Sequence, residues 1–385
     1  MKNYFNKALF YKEWRNIRGI AIIFYLQVLS MIIMPFINTI DSIKEYRDYG
    51  DMSKSQIFAM HKQSLFMHLE NRDTFVIMAI LIIAIATCVV GYDLIGRKYD
   101  ILSSMPFKKK QIIFTKWLSI FITMIVPLAI GYFIIYAVYL MNINLIGSYV
   151  TSRMILTWIC MNLLVSIFIF TFIMLIQCLS GICGLGGIVG AIFLILPIGL
   201  SMLINSIISL YGFSKDSTYF QGIQDKIVDI CSSLTPSSYC FRIVYEIPDH
   251  NESYNYYTNM YYSNRYCIPN KFKIVILIIA IVITFTLMIY AFNRFKLEKI
   301  GNIIAFKPLE PIFKIGVSVC FGLLGATFTS SITSSHYDLW KLREINAPEL
   351  VTLSNKAFTI TILMGILCGC LVYVITNKIL EANKK

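Results

Sequence analysis

The sequence predicts an all-α polytopic membrane protein with eight transmembrane helices, on three observations. Of its 385 residues, 57% are hydrophobic and only 14% charged, too apolar for a soluble chain of this length. Eight runs are long enough to cross a bilayer core, which takes about 20 apolar residues of helix. The runs are continuously apolar, whereas barrel strands alternate at period two, so they read as helices.

The runs are 19–37, 74–92, 117–141, 154–177, 185–210, 273–293, 315–332 and 357–376. The first is followed by no small-residue cleavage site and reads as a retained helix. The stretch before it, FNKALFYKEWRNIRG, is too polar to span. Wound as a helix, it puts Phe5, Leu9, Phe10, Trp14 and Ile17 on one half and Lys7, Lys12, Arg15 and Arg18 on the other. That pattern predicts an interfacial helix over 1–18, lying in the headgroup plane before the chain turns into the first span. Pro127 and Pro197 predict kinks in spans three and five. Gly186 with Gly190, and Gly365 with Gly369, have the four-residue spacing of close helix packing. Asn162, Gln177 and Asn205 read as helix–helix hydrogen-bonding groups, with substrate contact as the alternative. Seven of the ten cysteines read as small apolar residues of the spans. Cys231, Cys240 and Cys267 share one loop, where at most one pair could form a disulfide.

Charge sets the orientation. Residues 1–18, 93–116, 294–314 and the C-terminal tail hold 19 Lys and Arg against 6 acidic residues. The loops on the other side, 38–73, 142–153, 211–272 and 333–356, hold 14 against 15. Basic loops face the cytoplasm, so both termini are expected there. The same distribution argues against nucleic-acid binding, because the charges flank spans and form no folded basic surface. The spans carry essentially no Asp, Glu, Arg or His, which disfavours an ion-coupled carrier. No HExxH, GxSxG or P-loop motif occurs, so the chain reads as no enzyme, without a catalytic residue, metal site or cofactor of its own. His61 and His68 could share a helical face but lack a third ligand.

The most specific stretch is GRKYDILSSMPFKKKQIIFTKW, 96–117. Positive-inside topology accounts for Lys108, Lys109, Lys110 and Lys116, each attracted to anionic lipid by about 1 kcal/mol. It does not account for Pro106 and Phe107, a helix break and a large apolar side chain beside the cations. An apolar knob ringed by charge suits a groove on a soluble partner.

This stretch resembles the signature of ABC-2 type exporter permeases: an acidic residue, a Leu-rich turn, a Leu-Pro and a basic pair before span three. Asp100, Leu102, Pro106, Lys108 and Lys109 fall on that pattern. Where the family more often has Glu-Arg and Gly-Thr, this chain has Arg97, Lys98 and Tyr99. The amphipathic start resembles the family's elbow helix, and SSLTPSSY (232–239) is similar to its Ser-Pro segment before the last core helix. The stretch 294–314, with Arg294, Glu298, Gly301, Phe306 and Pro311, resembles the linker of eight-span Ytr-like permeases of Gram-positive bacteria.

The resemblance implies an elbow helix (1–18), a six-span ABC-2 core (19–293), a linker (294–314) and two further spans with a tail (315–385). Within the core, 93–116 would couple to the ATPase and 211–272 would be the extracellular loop. The chain would then be the permease of a bacterial plasma-membrane exporter for a peptide, lantibiotic, drug or other amphipathic substrate. A separate ATPase subunit would bind ATP and Mg, and a second permease, identical or related, would complete the complex among membrane lipids. The ATPase socket would comprise Arg97, Lys98, Asp100, Leu102, Met105, Pro106, Phe107, Lys108, Lys109 and Lys110, with Phe10, Lys12, Glu13, Trp14 and Arg15 of the elbow helix. The alternatives are a permease-like sensor subunit and an ion-coupled carrier.

Overall fold

The computed structural model describes residues 7–48, 72–95, 107–147, 150–212, 217–241, 243, 268–295, 301–303, 310–339, 341 and 349–382. Every regular element among them is helical, and eight helices are long and apolar enough to cross a membrane. Span one joins α1 (Lys7–Val28) to α2 (Met34–Asp48) through a widened π-type turn at Leu29–Ile33. Span two is α3 (Arg72–Gly91), closed by a tight turn at Tyr92–Leu94. Span three joins α4 (Lys109–Ile120) to α5 (Val126–Met141) through a second π-type turn, Phe121–Ile125. After a short α6 (Ile143–Ile146) come α7 (Ser152–Leu179) and α8 (Leu185–Gly212), spans four and five. An amphipathic α9 (Ser217–Ser233) precedes span six, α10 (Asn270–Arg294). Spans seven and eight are α11 (Glu310–His336) and α12 (Leu350–Ala382).

Span one departs from the expectation of a separate elbow helix. The helix runs unbroken from Lys7 through Gly19 to Val28. Leu9, Glu13, Ile17, Ala21, Phe24 and Val28 are all buried along it, at spacings of three and four that make one continuous stripe. The stripe stays in phase through the polar stretch, so Leu9, Glu13 and Ile17 face protein while Phe10 and Trp14 stay half-buried. Span three likewise starts earlier than its apolar run, at Lys109, which places Lys116 inside a helix.

The chain divides into two compact units. Met1–Ile192, Pro236–Tyr262 and Ile268–Gly301 form the first; Phe193–Thr235, Ser263–Cys267 and Asn302–Lys385 form the second. Within the first unit α7 is central, packed against α3, α5 and α10. Its core includes Met161, Val165, Ile169, Ile173 and Met174, all essentially inaccessible. Trp117 of α4 stacks on Phe121 and meets Phe170 of α7 and Phe285 of α10, while its indole N–H donates to Thr171 Oγ1 at 3.1 Å. The glycines of α8 sit where no side chain fits. A Cβ on Gly186 would lie 2.5 Å from Gln177 Cα, and one on Gly190 2.6 Å from Ile173 Cδ1.

In the second unit α11 and α12 form an antiparallel hairpin. Gly322, Gly365 and Gly369 allow backbone-to-backbone approach, a Cβ on Gly322 lying 3.0 Å from the Gly365 carbonyl. Asn205 of α8 exchanges hydrogen bonds with Gln224 of α9, and Asn162 bonds within its own helix, to the Trp158 carbonyl. Cys231 and Cys240 are free thiols; Cys267, His61, His68, Glu298 and Phe306 lie outside the described residues.

Candidate functional site

The polar feature that stands out in the first unit is a buried cluster of charge at the end of the bundle where α1 begins. Glu13 of α1, Asp93 in the turn closing α3, and Lys116 of α4 are each at most 2% exposed. Their positions follow from local structure. Glu13 falls on the buried stripe of α1, four residues from Leu9 and from Ile17. Asp93 sits in a tight turn that ends span two just past its apolar run. Lys116 lies one turn from Ile112 and Ile113, in a helix buried on that face.

The ammonium of Lys116 has three N–H groups and three oxygens around it. It lies 3.0 Å from Glu13 Oε1 and 2.6 Å from Asp93 Oδ2, and it donates to the Val89 carbonyl. Lys12, one-third exposed, approaches the other Asp93 oxygen at 2.7 Å and Glu13 Oε1 at 3.4 Å. Two carboxylates and two ammonium groups therefore close a neutral cluster that joins spans one, two and three. Burying three of these charges, with Lys12 partly exposed, carries a large desolvation cost, which their mutual attraction and hydrogen bonds offset only when all partners are present.

Asp93 and Lys116 also bracket the stretch 94–115, so the cluster clasps the base of that connection. The return limb is fixed as well. Lys108 has extended backbone, and its N–H donates to Gln111 Oε1 at 3.2 Å, the side chain reaching back to start α4 at Lys109. Lys109 Nζ donates to the Phe295 carbonyl at 2.9 Å, tying the start of span three to the end of span six. Nearby, Gly301 has φ +91° and donates its N–H to the Gly181 carbonyl at 2.9 Å. Only glycine adopts that backbone without strain, and the bond joins the segment after span six to the turn between spans four and five.

Of the residues expected in the socket, Phe107 is half-buried while Lys108, Lys109 and Lys110 are exposed. Arg97, Lys98, Asp100, Leu102, Met105 and Pro106 lie outside the described residues. On α1, Phe10, Lys12 and Trp14 are half-buried and Arg15 is exposed. Glu13 is not available to a partner: it is fully buried against Lys116. Lys116, expected to face anionic lipid, is instead an interior ion-pair residue. Asp93 was missed altogether. These three residues are far apart in sequence, and the local signals were slight: a carboxylate on an otherwise apolar stripe, an aspartate against the end of an apolar run, and a lysine within one.

A family model described as ABC-2 family transporter protein matches residues 8–297. No curated protein and no solved structure matches the chain. The matched range takes in α1, the buried cluster and all six spans of the expected core.

Proposed function

The chain belongs to the ABC-2 transporter family, and on that premise we propose that it is the permease subunit of an ATP-driven exporter whose 93–116 segment receives force from a separate ATPase. The observation that carries the reading is the clasp at the base of this segment. A connection that only joined two helices has no need of three buried charges and a fourth at their edge. A segment that must pass on a push does, because its two ends have to move with the helices they enter. Lys116 binds the end of span two and the start of span one to span three, so displacement of the segment reaches three spans together.

In this reading the cluster end of the bundle faces the cytoplasm of a bacterial plasma membrane, as the excess of Lys and Arg there supports. The exposed Lys108 and Lys110 flank Phe107, which seats in a groove on the ATPase. ATP and Mg are bound by that subunit, and the closure of two such subunits requires a second permease, identical or related. The cargo is a peptide, lantibiotic, drug or other amphipathic molecule.

The test is gentle purification of the tagged chain from its own membrane, beside a Phe107→Asp variant. A P-loop ATPase that accompanies the wild type and is lost from the variant supports both the family role and the contact. An ATPase retained by both keeps the role and moves the contact to α1. No ATPase with either, together with ion-driven uptake into vesicles, overturns the reading in favour of a carrier.

A further inference from the structure

Spans one and three share an unusual construction. Each contains one widened turn, Leu29–Ile33 and Phe121–Ile125, and each has a proline two residues beyond it, Pro35 and Pro127. The cause is local. A helical proline offers no N–H to the carbonyl four residues back and its ring crowds that carbonyl. Opening the preceding turn to i→i+5 bonding relieves the crowding, as the Met34 N–H to Leu29 carbonyl bond shows.

The carbonyl that Pro127 leaves without its α-helical donor is that of Thr123. Tyr25 of span one supplies the donor instead: its hydroxyl donates to the Thr123 carbonyl at 2.9 Å. The two helices also interlock around the hinges. α1 touches the widened turn of span three and α5 touches that of span one. A Cβ on Gly131 of α5 would lie 3.0 Å from Val28 and 3.5 Å from Ile33. Nearer the start of both helices stands the Glu13–Lys116 ion pair.

We propose that Tyr25 is a positioning residue for coupling, its hydroxyl standing in for the missing Pro127 N–H so that spans one and three bend as a pair at their matched hinges. The inference rests on the permease reading and deepens it. Force entering at the clasped segment reaches both helices through Lys116, and the Tyr25 bond keeps their outer halves in step where each helix is weakest. Without it, span three retains its hinge but bends without span one.

The experiment uses the copurified complex with spin labels introduced as non-natural residues at Lys44, Met141 and Leu156, which are exposed. In the wild type, a non-hydrolysable ATP analogue is expected to shift the labels at 44 and 141 by matched amounts relative to 156, leaving the 44–141 distance unchanged. Tyr25→Phe is expected to let the 44–141 distance change on ATP binding. In a Pro127→Ala background, which restores the backbone donor, Tyr25→Phe should have no further effect. An unfolding equilibrium gives an independent reading: Tyr25→Phe should raise the unfolded fraction about fivefold alone and leave it unchanged beside Pro127→Ala. Identical label distances in wild type and Tyr25→Phe with ATPase bound overturn the proposal, as does an equal effect of Tyr25→Phe in both backgrounds. Failure to recover an ATPase overturns the permease reading and the coupling role together, while the unfolding cycle still decides whether Tyr25 replaces the proline's donor.

Discussion

Asp93 and Lys116 stand at the two ends of one connecting segment, and their side chains meet across its base at 2.6 Å. Glu13, from a third helix, completes the contact at 3.0 Å. The connection between spans two and three is thus closed by buried charge, and span one is fastened to the same point.

This arrangement predicts an asymmetric response to substitution. Lys116→Met leaves two buried carboxylates with only the one-third-exposed Lys12 as counter-charge and should cost about 3–5 kcal/mol of stability, because an undercompensated buried charge is far worse than none. Lys116→Met combined with Glu13→Leu and Asp93→Leu should recover most of that loss. Thermal unfolding of the purified chain distinguishes the two. Raising salt should leave the wild-type contribution almost unchanged, since buried pairs are little screened.

The close approach of α8 to α7 predicts a paired rescue. Gly190→Ala brings a Cβ to 2.6 Å from Ile173 Cδ1 and should cost about 1–3 kcal/mol by overpacking. Ile173→Val removes the clashing methyl, so the double variant should be more stable than Gly190→Ala alone. Unfolding midpoints of the four proteins give the answer.

The spans and their close contacts were legible in the sequence, and the cluster was not. Continuous apolar runs marked the eight spans, and glycine spacing marked Gly186, Gly190, Gly365 and Gly369 as contact points. Pro127 predicts a kink, but nothing local pairs it with Pro35 or ties Tyr25 to Thr123. Lys116 illustrates the limit most clearly. Counted with its neighbours it is one more cation beside a span; its partners are set by tertiary packing over a separation of 103 residues to Glu13. The unbroken run of α1 from Lys7 to Val28 was not legible for the same reason. Polar residues in 7–18 exclude a lipid-facing helix, yet a protein-facing helix accepts Glu13 once Lys116 neutralises it.

Backbone conformation predicts a contrast between two glycines. Gly301 has φ +91° and holds the Gly181 carbonyl, so Gly301→Ala should destabilise by about 1–2 kcal/mol. Gly316 lies within α11 with open space around its Cβ position, so Gly316→Ala should be neutral or stabilise by up to about 1 kcal/mol. Circular dichroism during thermal unfolding of both variants tests the pair.

The central claim, that an ATPase docks on the segment clasped by Asp93 and Lys116, is tested most directly by photo-crosslinking in native membranes. A photoreactive phenylalanine at position 107 is compared with the same group at 141, an exposed site on the far end of span three. The account predicts a crosslink from position 107, and none from 141, to a protein that carries a P-loop. Crosslinks from position 107 only to lipid, in membranes where the chain is intact, would contradict it.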